Sequence, residues 1–222
     1  MAAAFFVTGT DTDAGKTRVA CAILASARQH GYSTAALKPV AAGVNADGVN
    51  EDVLLLHREC TLDLSLRDIN PACFNDPVAP HICAAEAGIS LTAQTLALQC
   101  RPVLDLQADL TLVEGAGGWK VPLNSRETLA DLARQLDIPV ILVVGMRLGC
   151  LNHALLTAQA IAADGATLAG WIANRVDADM QRYEENLATL KALLPAPLVA
   201  EMPRLDPGES GARHINLQTL LA

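Results

Sequence analysis

Short, nearly uninterrupted apolar runs recur along the chain, and between them apolar residues fall at helical spacing. Phe5–Val7, Leu110–Val113 and Ile138–Val144 are the clearest runs, and each predicts a strand buried on both faces. Ser33–Val40, Thr167–Ala173 and Pro197–Ala200 predict three more strands. Helices are predicted where the period changes. Arg18–His30 carries Val19, Ile23 and Ala27 and stops at Gly31, and Thr128–Leu136 puts Leu129, Leu132, Ala133 and Leu136 on one face. Thr92–Leu106, the stretch after Gly149–His153, Met180–Leu194 and Asn216–Leu221 also predict helices, and Asn50-Glu51-Asp52 opens the run Val53–Leu56. Residues 68–82, with Pro71, Pro77 and Pro80, are the least regular and predict a long functional loop. Strands alternating with helices imply right-handed crossovers, and so an α/β fold: a mostly parallel sheet covered by helices on both faces.

Composition narrows the class. At 222 residues, 51% apolar and 18% charged, the chain (1–222) suits a single α/β domain. Only 3% of residues are aromatic, so Ala, Leu and Val carry the packing. The net charge of −8 argues against a nucleic-acid surface, and no apolar run nears the roughly 20 residues that span a bilayer. The six cysteines lack CxxC spacing and read as reduced thiols of a cytoplasmic protein. His57 with Cys60, and His81 with Cys83, lack the spacing of a structural zinc site.

Chemistry enters at Thr8-Gly9-Thr10-Asp11-Thr12-Asp13-Ala14-Gly15-Lys16-Thr17, where the first strand passes through a glycine loop into a helix. This is the order of a phosphate-binding loop, with five residues between the glycines where four are usual. Backbone N–H groups and the helix N-terminus would face an anion, Lys16 the terminal phosphates, and the Thr17 hydroxyl Mg²⁺. The fold expected is therefore a P-loop NTPase-like three-layer sandwich. Ligands in such a sheet bind beyond the carboxyl ends of its strands, where this chain places Lys38, Glu114, Gly145–His153, Asn174 and Pro203. Glu114, just past an apolar run, is the candidate second Mg²⁺ ligand, with Asp52 a weaker one. Lys38 closes a strand beside the loop and can neutralise an anion. Asn174-Arg175-Val176-Asp177 has the outline of a guanine-reading box but with Arg for Lys, and an asparagine there can equally pair with adenine. ATP is the expected nucleotide.

These residues closely resemble the dethiobiotin synthetase family, the ATP-dependent ring-closing enzymes of biotin synthesis. The likeness runs through VTGTDTDAGKT at 7–17, KPVAAG at 38–43, APHICAAEAG at 79–88, LVEGAGGWKVPL at 112–123, PVILVVGMRLGCLNHALLTAQ at 139–159, AGWIANRV at 169–176 and EMPRL at 201–205. In that family the five-residue gap is normal. The resemblance implies that CO₂ and 7,8-diaminononanoate give a carbamate, which ATP activates for closure to a cyclic urea. It also implies Lys38 and Lys16 as catalytic, and Thr17, Asp52 and Glu114 as Mg²⁺ ligands. Nucleotide contacts would come from Asp13, Ala14, Gly15, Lys16, Thr17 and Arg18, from Glu114, Gly117 and Gly118, and from Asn174 and Arg175. Pro203, Arg204, Leu205 and Glu209 would border the base and ribose. Thr12, Lys38 and Ala42 would face the diamine. Its carboxylate would meet Gly149, Cys150, Leu151 and Asn152 of the partner in a homodimer. Two positions depart from the family: Ala42 often holds serine, so backbone or water is expected to replace that hydroxyl, and Lys120 adds a charge near the glycine turn.

Other P-loop proteins fit less well. Partition-type ATPases carry a second lysine five residues before the main one, where this chain has Asp11. Cobyrinic-acid-type amidating synthases need a glutaminase domain for which 222 residues leave no room. A regulatory module that hydrolyses nothing would show a degenerate loop or lack Lys38.

Overall fold

A computed structural model describes residues 2–206 and 208–221. Six strands form the main sheet: β1 (Ala3–Gly9), β2 (Thr34–Leu37), β5 (Leu110–Gly118), β6 (Val140–Gly145), β7 (Leu168–Asn174) and β8 (Leu198–Met202). Their order is β2-β5-β1-β6-β7-β8, and every pair is parallel. Two short strands, β3 (Val40–Ala42) and β4 (Ala72–Phe74), pair separately and also in parallel.

Alternate side chains sort onto two faces, as the pleat requires. Val7, Leu112, Ile141, Val143 and Ile172 pack with α1 (Lys16–Gln29) and α9 (Leu217–Leu221). Phe6 and Val113 face α5 (Ala93–Leu104) and α6 (Leu129–Leu136) on the other side. Further along that face, Leu142, Val144 and Trp171 pack with α7 (Cys150–Ala163) and α8 (Tyr183–Leu193). This is the predicted three-layer architecture. Among the described residues no helix is long and apolar enough to cross a membrane.

Three local differences bear on the site. The strand predicted over Ser33–Val40 divides: Pro39 has no N–H to continue the ladder, and the Lys38 N–H turns to the Ile69 carbonyl at 2.8 Å. The chain thus leaves the sheet at Lys38. Residues 68–82 are not one loop. They hold the end of α3 (Leu66–Ile69), β4, and the start of α4 (Pro80–Glu86), which opens on proline. Finally, β5 runs on through Gly115–Gly118 rather than stopping at Glu114. A Cβ on Gly115 would lie 3.1 Å from the Phe6 ring, so the missing side chain lets β5 continue beside β1. The helix α2 (Glu51–Arg58) begins where predicted, capped by Asn50, whose side chain accepts from the Val53 N–H.

Candidate active site

The phosphate loop is braced from two neighbouring strands. Gly15 precedes α1 with φ 85°, and a Cβ there would stand 2.1 Å from Asn174 Nδ2. That amide donates to the Ala14 carbonyl at 2.8 Å, so β7 holds the back of the loop. The Thr10 N–H donates to the Val143 carbonyl at 2.9 Å, and the Gly145 N–H to Thr10 Oγ1 at 3.2 Å, so β6 holds its first half. Lys16 is buried and folds back over the loop, with Nζ 3.4 Å from the Asp11 carbonyl.

Beside it lies a charged cluster assembled from four elements, β2, α2, β5 and α1. Lys38 Nζ, on the chain leaving β2, donates to Asp52 Oδ2 at 2.5 Å and to Glu114 Oε1 at 2.6 Å. Thr17 Oγ1, in the first turn of α1, donates to the same Glu114 oxygen at 2.8 Å. Glu114 is fully buried, and its Oε2 has no hydrogen-bond partner among the described residues. Burial, the largest influence, pulls the Lys38 ammonium down. The Glu114 and Asp52 carboxylates outweigh it, and the net displacement is upward. Burial pushes Asp52 up, but the charge and hydrogen bond of Lys38 leave it below the usual carboxylate value. Lys16 lies below the ordinary lysine value because burial outweighs the help of Glu114, and Lys38 adds repulsion. Two cations and two anions thus share one corner, with Lys16, Lys38 and Glu114 buried and Asp52 partly open to solvent.

A cavity of about 580 Å³ opens on this corner. Thr12, Asp13, Gly15, Lys16, Thr17 and Arg18 line its phosphate-loop side, and Lys38, Ala42, Asp52, Glu114 and Gly117 the opposite side. A second cavity of about 570 Å³ is lined by Arg18, Asn174, Arg175, Pro203, Arg204 and Leu205. Arg18 borders both. Its Nη2 donates to the Asp206 and Glu209 carbonyls at 3.1 and 3.4 Å, tying the chain after β8 to the start of α1. The Arg175 guanidinium stacks over the Tyr183 ring at 4.7 Å.

Other predicted residues lie outside both cavities. Ala14 is buried, offering its carbonyl to Asn174, and Gly118 pairs in register with Gly9. Glu209 is engaged elsewhere, accepting from Arg213 at 2.7 Å and from the Asp206 N–H at 3.3 Å. Gly149, Cys150, Leu151 and Asn152 open α7 and reach neither cavity. Lys120 pairs with Asp164 at 2.7 Å, alongside the Trp119 indole on the same carboxylate, and lines neither cavity. Sequence reasoning missed the wall built by Pro77, Val78 and Ala79, although the proline-rich window had marked it as functional. It also missed the Arg147–Asp11 pair at 2.6 Å, which links the tip of the loop to the turn before α7.

Thr17, Asp52 and Glu114 offer a hydroxyl and two carboxylates, the hard oxygen donors that suit Mg²⁺. The unpartnered, buried Glu114 Oε2 fits that assignment, since such an atom is costly without a ligand.

A family model described as an AAA domain matches residues 3–210. The chain is 55% identical over 222 residues to the ATP-dependent dethiobiotin synthetase BioD of Pseudomonas aeruginosa (strain UCBPP-PA14), covering 98% of this chain and 97% of that one. The protein of the same name from Cellvibrio japonicus (strain Ueda107) is 53% identical, with 98% and 97% covered. ATP-dependent dethiobiotin synthetase BioD 1 of Escherichia coli O157:H7 is 46% identical, with 99% and 100% covered. Among solved structures, the septum site-determining protein MinD with Mg-ADP from Pyrococcus horikoshii OT3 superposes with a TM-score of 0.59 at 14% identity, covering 98% of this chain and 94% of that one. A ParA family ATPase from Chlorobium tepidum TLS gives 0.58 at 14% identity, with 100% and 99% covered. These two likenesses show the fold alone.

Proposed function

The chain belongs to the ATP-dependent dethiobiotin synthetase family, and from that premise we propose how its two cavities divide one ring-closing reaction. The enzyme uses ATP with Mg²⁺ to join CO₂ to a diamine. The second cavity takes the base and ribose, with Asn174 at the strand end and Pro203, Arg204 and Leu205 around it. Phosphates run past Arg18 to the loop, where Lys16 and the N–H groups at the start of α1 hold them. Thr17, Asp52 and Glu114 hold Mg²⁺, which when bound offsets phosphate charge.

The observation that carries this reading is Lys38, buried between Asp52 and Glu114 and lining the same cavity as the phosphate loop. One amine of 7,8-diaminononanoate adds to CO₂ and loses a proton, giving a carbamate. The carbamate oxygen attacks the γ-phosphorus as the bond to ADP breaks. The second amine then attacks the carbonyl carbon of the mixed anhydride, phosphate leaves, and a cyclic urea closes. Carbamate, γ-phosphate and acyl phosphate are all anions, so fixed cations at Lys16 and Lys38 stabilise their meeting. The substrate supplies both nucleophiles, so the protein needs none of its own.

Residues 1–222 act as one domain, in a homodimer. Gly149–Asn152 lie outside this chain's cavities and serve the diamine carboxylate of the partner, through N–H groups at the start of the 14-residue α7. Leu148, 95% exposed beside that turn, gives the interface an apolar contact. The enzyme works in the cytoplasm, which suits its six free cysteines.

Purified protein with ATP, Mg²⁺, bicarbonate and 7,8-diaminononanoate is expected to release phosphate only when the diamine is present. Diamine-independent release would overturn the reading. Mixing Lys38→Gln dimers with Leu151→Pro dimers, which lack one of those N–H groups, should restore activity in hybrids; no restoration would argue against a shared site.

A further inference from the structure

Asn50 belongs to neither the nucleotide contacts nor the metal ligands, yet it is 8% exposed and borders the phosphate-side cavity. It also borders a smaller cavity of about 310 Å³, with Gly43, Glu51 and Asp52. Its carboxamide performs two tasks. Oδ1 accepts from the Val53 N–H at 3.3 Å and caps α2, the helix that carries Asp52. Nδ2 donates to the Gly43 carbonyl at 2.7 Å and lies 3.5 Å from that of Ala42. Gly43 is held on two further sides. Its N–H donates to the Phe74 carbonyl at 3.0 Å, and with φ 86° it sits so close to Pro77 that a Cβ would come within 3.1 Å of that ring. The Gly43 backbone is therefore fixed at both its N–H and its carbonyl, and the carbonyl is held by the Asn50 amide.

We infer that Asn50 is a positioning residue for the diamine, setting the Ala42–Gly43 backbone and the Asp52-bearing helix in one register. The inference rests on the proposed reading, with the diamine seated in the phosphate-side cavity that Ala42 lines. Alanine has no hydroxyl there, so what this stretch presents to an amine N–H is peptide oxygen. A carbonyl acceptor is directional, and the Nδ2 clamp sets its direction. The cap orients Asp52, and the clamp on the Gly43 carbonyl fixes the adjoining Ala42 backbone, which lines the cavity.

Serine separates the two tasks, because its hydroxyl still caps a helix but is too short to replace the amide donor. Asn50→Ser is expected to raise KM for 7,8-diaminononanoate roughly five- to tenfold, the loss of one buried amide hydrogen bond. KM for ATP and the Mg²⁺ activation constant should stay within about twofold, since the cap persists. Asn50→Ala, losing both, should raise the Mg²⁺ activation constant as well. Asn50→Thr, also a capping residue without the donor, repeats the diamine-only defect should the serine variant fold poorly. Wild-type KM for the diamine in a folded Ser or Thr variant would overturn the clamp. A wild-type enzyme that releases phosphate without the diamine would instead overturn the reading beneath it.

Discussion

The two cavities that meet at Arg18 are close in size, about 580 and 570 Å³, and opposite in construction. The phosphate side is built on the ends of β1, β2 and β5 and the first turns of α1 and α2, with Lys16, Lys38 and Glu114 all buried. There Lys38 bridges Asp52 and Glu114 at 2.5 and 2.6 Å, and the Thr17 hydroxyl donates to Glu114 at 2.8 Å. The base side is walled by the chain that follows β8 together with the end of β7 and the turn after it. Arg204 and Asp206 are exposed there, and Arg18 reaches backbone carbonyls. Chemistry that must stabilise several anions is thus placed on rigid, desolvated elements, where charge acts strongly. In the proposed reading, recognition of the base and ribose is left to a looser wall. Substitutions on the first side should therefore abolish turnover or phosphate binding, whereas those on the second should shift affinity.

Lys38→Gln puts this contrast to its hardest test. Loss of the ammonium should lower kcat by roughly 10²–10³, the scale of one removed transition-state donor. Glutamine can still donate to Glu114, so nucleotide binding measured by calorimetry should persist. Near-wild-type kcat would remove Lys38 from the chemistry. Gly15→Ala comes next. Its φ of 85° already costs an L-residue about 1–2 kcal/mol, and the added carbon meets Asn174 Nδ2. Nucleotide affinity should drop at least roughly tenfold, from strain and displaced N–H groups together. Unchanged affinity would mean that the loop is less tightly braced than its contacts with β6 and β7 imply.

The same contrast explains what could be read from the chain. The phosphate loop, Lys38 and Glu114 are legible because each puts a polar or charged group at the end of an apolar run, where burial demands a purpose. The parallel sheet is legible for the same reason. Asn50 reads only as a helix cap, since its second hydrogen bond depends on where Gly43 folds. Arg18 meets carbonyls 188 and 191 residues away, and backbone acceptors carry no sequence signal. The strands β3 and β4 have three residues each, too few to show a period of two. The glycines of β5 suggest a turn, and only the Phe6 ring lying against Gly115 explains why the strand continues.

Arg18→Gln tests the base side. It removes two hydrogen bonds to backbone carbonyls, each worth about 0.5–1.5 kcal/mol net. KM for ATP should rise by roughly three- to tenfold, with kcat within about twofold. A collapse of kcat would place Arg18 among the phosphate-side groups and erase the division between the cavities.

The smallest effect expected is a pH dependence inside the charged corner. Asp52 titrates below its ordinary value of 3.8 because Lys38 outweighs the burial that pushes it up. A carboxylate held down in the folded state stabilises the fold above its unfolded value, and that contribution is lost as pH falls through the folded value. The Tm difference between wild type and Asp52→Asn should therefore be level from neutral pH down to about pH 4 and shrink below it. It should also be modest, because the Asp52 side chain is 42% exposed and solvent screens the pair. A difference that grows as the pH falls below 3.8 would mean that Lys38 does not hold Asp52 ionised. The corner would then owe its order to Glu114 and Thr17 alone, and the metal-ligand assignment of Asp52 would lose its electrostatic support.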